Sequence, residues 1–154
     1  YVGADDDTLY AIDLAARTAF SGHRPVDCQV PLARRVELLL AYRAQVFEDW
    51  LPIWNFAARA RAVAPSIGFG VAQVRDLLRE RLSAWFATEL GTLDDGTRRN
   101  VLDALDRAFG LDNWMNMRGQ LRLSPMRASR TWRFNAEAIV LQALTVENRP
   151  AVAA

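Results

Sequence analysis

Val36-Glu37-Leu38-Leu39-Leu40-Ala41-Tyr42-Arg43-Ala44-Gln45-Val46-Phe47-Glu48-Asp49-Trp50 decides the fold class. Val36, Leu39, Leu40, Val46, Phe47 and Trp50 recur every three or four positions, so they fall on one side of a helix and not on alternating faces of a strand. Leu38 and Tyr42 broaden that side, while Arg34, Arg35 and Glu48 lie elsewhere on the wheel. Arg43 is the exception, a guanidinium on the apolar side. Snorkelling to the surface is one reading of it; an anchor for an acidic ligand group is the other.

The same period extends in both directions. Upstream, Leu9, Ile12, Ala16, Ala19 and Phe20 form a stripe that Ser21-Gly22-His23-Arg24-Pro25 ends, and residues 22–30 read as a loop. Pro31 suits the first turn of the central helix. Pro52 removes an internal hydrogen bond, which predicts a break or kink near Trp50 and a short helix carrying Ile53, Trp54 and Phe56 after it. Ala64-Pro65-Ser66 interrupts the pattern. A helix of about residues 67–90 then carries Val71, Val74, Leu77, Leu78, Leu82, Trp85 and Phe86, with Gly91 as its stop. Asp94 or Asp95 caps a helix to about Phe109, striped by Val101, Leu102, Leu105, Ala108 and Phe109, which Gly110 closes. A shorter turn holds Leu111, Trp114, Met115, Arg118 and Leu121. Ser124-Pro125 is a cap and first-position pair that opens a long helix to about Leu144. No strand pattern or internal repeat stands beside these elements. The expectation is an all-α helical bundle of about seven helices in one domain, residues 1–146, with a frayed tail at 147–154.

Composition narrows the function classes. The chain has 154 residues, 51% of them hydrophobic and 24% charged, with a net charge of +1. That is ordinary for a soluble domain and leaves no overall basic field for nucleic acid. All 19 basic residues are Arg, which excludes lysine Schiff-base and lysine general-base chemistry. His23 is the only histidine and Cys28 the only cysteine, so a Cys/His zinc cluster and an internal disulfide are excluded. No apolar stretch is long enough to span a membrane, and a reducing cytoplasmic compartment is the default. His23 and Cys28 sit in a loop without partners nearby in sequence. Asp5-Asp6-Asp7 suits helix capping better than a metal loop. Glu48-Asp49 and Asp94-Asp95 lack an acid/base spacing, Gly68-Phe69-Gly70 is too short and apolar for a phosphate loop, and no nucleophile elbow is present. An enzyme is therefore not expected, nor a metal or cofactor.

The aromatic residues carry more information. Trp50, Trp54, Phe56, Trp85, Phe86, Trp114 and Trp132 are many large rings for this length. Most such rings build a core; the alternative is that some line a cavity between helices. On that alternative the candidate ligand-binding residues are Tyr42, Arg43, Trp50, Trp54, Trp85 and Trp114, with Asn55, Asn113 and Asn116 as sparse polar groups. In the last helix Ala128, Ser129, Ala136, Ala138 and Ala143 alternate with Trp132, Phe134, Ile139 and Leu141, so apolar or small positions occur nearly all round. A helix apolar on more than one face is covered on more than one face. Either it is central in the subunit, or with residues 97–109 it forms a four-helix interface in a two-fold dimer. The candidate interface residues are Val101, Leu105, Ala128, Trp132, Ala136 and Ile139.

The opening Tyr1-Val2-Gly3-Ala4-Asp5-Asp6 reads as a helix exit followed by an acidic helix start. It resembles the aromatic-aromatic-Gly-Ser-Lys-acidic stretch of TetR-type transcriptional regulators, with Val2 for the second aromatic and Asp5 for the Lys. Leu9-Tyr10, residues 36–42, 47–61, 77–90 and 102–114, and Leu123-Ser124-Pro125 before a Trp-containing helix are similar to the regulatory half of that family. The resemblance implies a homodimeric effector-sensing domain of a repressor. A small, mostly apolar ligand would alter the spacing of two DNA-reading heads on a palindromic operator, with each helix-turn-helix expected upstream of Tyr1. The competing expectations are a stand-alone helical protein that binds a hydrophobic molecule or a protein partner without any DNA role, and, more remotely, an enzyme on a helical scaffold.

Overall fold

The computed structural model describes residues 10, 14, 29–60 and 65–146, with the backbone alone at 66 and 143–146. Apart from Tyr10 and Leu14, the helix expected over residues 9–20 lies outside these residues, as do the acidic run Asp5–Asp7, His23, Cys28 and the tail. Within them the chain is all-helical: α1 (Leu32–Ala60), α2 (Pro65–Trp85), α3 (Ala87–Gly91), α4 (Asp95–Phe109), α5 (Leu111–Met115), a π turn (Asn116–Gln120) and α6 (Pro125–Val146). None of these helices is long and apolar enough to cross a membrane.

The helix ends follow from side-chain chemistry. The Asp94 carboxylate accepts from the main-chain N–H groups of Gly96 and Thr97, at 2.9 and 3.0 Å, and so caps α4. The Thr97 hydroxyl, helped by these main-chain bonds, holds the Asp94 carboxyl below its ordinary pKa of 3.8. Because its folded pKa is lowered, the cap contributes fully above that value and is lost as pH falls below it. Exchange of the Gly96 and Thr97 amides is expected to accelerate in Asp94→Ala and to stay slow in Asp94→Asn; equal exchange in the two variants would mean that the side chain does not cap the helix. Ser124 caps α6, its hydroxyl accepting from the N–H of Arg127 at 3.3 Å. At Gly110 the requirement is space: a Cβ there would stand 2.7 Å from the carbonyl oxygen of Asp106.

Two expected boundaries differ. α1 runs through Pro52 without interruption. Pro52 is exposed, so the hydrogen bond that its missing N–H costs falls on the outer side of α1, away from the core. The helix expected over residues 67–90 divides at Phe86, whose backbone leaves the helical region at φ −106°, ψ 21°.

The core is one cluster. α6 lies against α1 and α4, and α2 packs on both α1 and α4. Among the described side chains of α6, Ala128, Trp132, Ala136 and Val140 enter it as buried residues, one per turn along a single stripe. The two small alanines leave room for Trp132, whose ring meets Phe47 of α1 at 5.7 Å, Phe109 of α4 at 6.4 Å and Trp114 of α5 at 5.0 Å between centroids. Along the α2–α4 seam Arg79 pairs with Asp103 and Asp106, and Arg75 with Asp112 of α5.

Candidate functional site

Of the six residues nominated for a ligand, Trp50, Trp54, Trp85 and Trp114 are buried in the core cluster, Tyr42 is half-buried and Arg43 is wholly enclosed. The four indoles thus serve as packing, the common role of large rings. The indole N–H of Trp114 donates to the Glu48 carboxylate at 2.9 Å.

Arg43 does not snorkel. It is 0% exposed, and its Nη1 and Nη2 donate to the carbonyls of Phe109 (2.8 Å) and Leu78 (3.0 Å). Phe109 is the last residue of α4, so the cation meets the negative end of that helix. The Nε has no hydrogen-bond partner among the described residues. Burial pushes the guanidinium down to about 10, with Asp106 acting weakly the other way. Arg43 therefore stays charged at neutral pH and ties α1 to α2 and α4 through main-chain oxygens.

A second buried cation, Arg35, ties the start of α1 to α2 and α3. Its Nε donates to the Val30 carbonyl at 3.1 Å, its Nη1 to the Trp85 carbonyl at 3.2 Å, and it pairs with Glu89. A void of about 20 Å³ lies beside Glu89, Phe86 and Val140, room for about one water. Another, of about 90 Å³, is bounded by Arg75, Asp106, Arg107 and Asp112. None of the six nominated residues lines either of them.

The largest depression described lies on the outside. A groove of about 480 Å³ runs between α4 and α6, lined by Thr97, Asn100, Val101, Ala104, Ala138, Ile139 and Gln142. Of the residues nominated for a dimer interface, Val101 and Ile139 reach this groove. Leu105, Ala128, Trp132 and Ala136 point inward and are buried in the subunit itself. The two faces of the last helix are thus exchanged relative to the expectation. The i, i+4 stripe Ala128–Trp132–Ala136–Val140 is the inner one. Phe134 (75% exposed), Leu141 (65%) and Ala138 lie opposite it. The sequence signal that could separate them is charge: Arg130, Arg133 and Glu137 surround Phe134, and the inner stripe contains no charged residue.

Nothing in the sequence marks the hub around Glu48. Its carboxylate accepts from Trp114 and also from Nε and Nη2 of Arg118, the latter at 3.1 Å. Arg118 Nη1 reaches the Leu123 carbonyl. The Glu48 carboxylate raises the guanidinium pKa of Arg118. Among the described residues there is no cluster of three or more side chains suited to a metal. No family model, curated protein or solved structure matches the chain.

Proposed function

We propose that this chain is the effector-sensing and dimerisation domain of a TetR-type transcriptional repressor, whose DNA-reading head precedes it in sequence. The observation that carries this reading is the outer face of α4 and α6. An apolar groove of about 480 Å³ with small residues on its walls lies beside Phe134 and Leu141, which point away from the core. Small side chains let helices from a second copy approach closely, and a two-fold axis would set the same pair of helices from each copy face to face. The effector is a small, mostly apolar molecule that enters among the aromatic residues around Tyr42, Arg43, Trp50, Trp54, Trp85 and Trp114. Because these pack tightly, a ligand there has to part helices, and it shifts the dimer only to the extent that it favours one arrangement over the other.

The test is the native mass of the 17.3 kDa chain and of Phe134→Arg. The expected result is twice that mass for the parent, with retention of a small adduct, and a dimer at least about tenfold weaker for the variant. Phe134 is exposed, so Arg there leaves the core intact. A parent dimer that Phe134→Arg leaves unchanged would move the interface elsewhere. A monomeric parent that holds an adduct favours the second reading, a stand-alone helical binding protein, for which the open groove would receive an apolar molecule or a partner's helix.

A further inference from the structure

The segment that joins α5 to α6 is a π turn, closed by the N–H of Leu121 on the carbonyl of Asn116 at 3.0 Å and by that of Leu123 on Met117 at 2.9 Å. Two residues later Arg122 takes φ 50°, the one positive φ among the described residues that are not glycine. A π turn carries one residue more than the α ladder would, and β-carbon-bearing residues avoid the left-handed region. Both features therefore need support from their surroundings, and the sequence Asn116-Met117-Arg118-Gly119-Gln120 supplies no local reason for either.

The support converges on one carboxylate. Glu48 of α1 holds the last turn of α5 through the Trp114 indole and the middle of the π turn through two nitrogens of Arg118. The same guanidinium reaches forward to the carbonyl of Leu123, two residues before α6 begins. Behind this chain of contacts the Trp114 ring lies 5.0 Å from that of Trp132, in the inner stripe of α6. We propose that the Glu48–Arg118 pair is a conformational latch: it selects the π register of residues 116–120 over an α register, and its release moves the start of α6.

The geometry of helices gives the size of the change. Removing one residue from the turn rotates the downstream chain by about 100° and shifts it by about 1.5 Å along the axis. Arg118 would then swing away from Glu48 and lose two charge-assisted hydrogen bonds together. Leu123 would lose its Arg118 partner, and the first turn of α6 would lose its fixed exit. The outer groove is half built by α6, so the latch sets the position of one of its walls. Every contact of the latch lies inside one subunit, so its action is independent of what covers that groove.

The three methionines report on this directly. Met115 and Met117 flank the start of the π turn, and Met126 occupies the second position of α6. In the whole chain, methyl spectra of ¹³C-labelled Met are expected to show one resonance for each. Glu48→Gln keeps the size of the side chain but removes the charge and turns a donor toward Arg118. Arg118→Leu removes the donors from the other side without adding a methionine. Both variants are expected to give a second resonance for Met115 and Met117, with a minor population of about a tenth, and a displaced Met126 resonance. Amide exchange is expected to rise at residues 116–123 while the core of α1 and α4 is unchanged. Spectra of both variants that keep single resonances at the parent positions would overturn the latch. So would a uniform rise in exchange across all helices, with all three methyls at unfolded positions, because the pair would then only add stability.

Discussion

Trp132→Ala lowers the stability of this fold by about 3–5 kcal/mol, the usual cost of emptying a buried aromatic site. For a chain of this size that is a fall in melting temperature of about 10 °C or more. The magnitude rests on what else α6 places in the core. Its other buried side chains are Ala128, Ala136 and Val140, so among the described residues the indole is the one large group by which the helix grips α1, α4 and α5. Trp132→Phe is the informative companion. It keeps a ring against Phe47 and Trp114 and removes only the indole N–H that donates to the Ala108 carbonyl. That carbonyl still accepts from Asn113 at 2.9 Å, so the expected loss is nearer about 1 kcal/mol. Thermal and urea melts decide. A Trp132→Ala protein within about 1 kcal/mol of the parent would mean that α6 is held by something other than its inner stripe.

Arg43 yields the second large effect, with two opposing parts. Holding the guanidinium down at about 10, well below its ordinary value, corresponds to a burial cost of about 3 kcal/mol. The sign follows from proton affinity. The folded state binds this proton less tightly than the unfolded state, so the cost is fully present below about pH 10 and is relieved as pH rises from there toward the ordinary arginine range. Against it stand two charge-assisted bonds to carbonyls, at about 1.5–3 kcal/mol each, and the favourable end of α4. The bonds at least offset the burial cost, so much of the outcome of substitution depends on side-chain volume. Arg43→Ala leaves a cavity where α1, α2 and α4 meet and is expected to cost about 3 kcal/mol or more. Arg43→Met fills most of that space without a charge to desolvate and is expected to lie within about 1–2 kcal/mol of the parent. Equal losses in the two variants, measured by chemical unfolding, would show that the hydrogen bonds and not the packing dominate.

Much of the architecture is legible in the sequence because its signals are local. Asp94, Ser124-Pro125 and Gly110 end or begin helices through groups within a few residues of themselves, and a 3.6-residue period needs no tertiary partner to be seen. The features that escape the sequence depend on direction or distance. Pro52 reads as a break because the sequence alone does not tell that it lies on the outer side of α1. The inward face of α6 is ambiguous because alanines at 128 and 136 suit close helix packing between subunits and within one equally well. The Glu48 hub is invisible, since Glu48 and Arg118 are 70 positions apart. Arg43 stands out as anomalous on its wheel in the sequence alone. Its partners do not, because they are main-chain oxygens and carry no residue-type signature.

The place of Trp132 in the chain has a kinetic consequence. Its ring completes a cluster begun by Phe47, and the contact between them spans 85 residues. Of the described helices α6 is the last to be translated, so on the ribosome α1, α2 and α4 emerge with their shared apolar surface open. At the usual pace of synthesis that interval lasts several seconds, long compared with the collapse of a helical chain. Closure of the core then waits for α6 and has a long loop to close. Until it happens the nascent chain presents Phe47, Phe109 and Trp114 to whatever chaperone or neighbour arrives first.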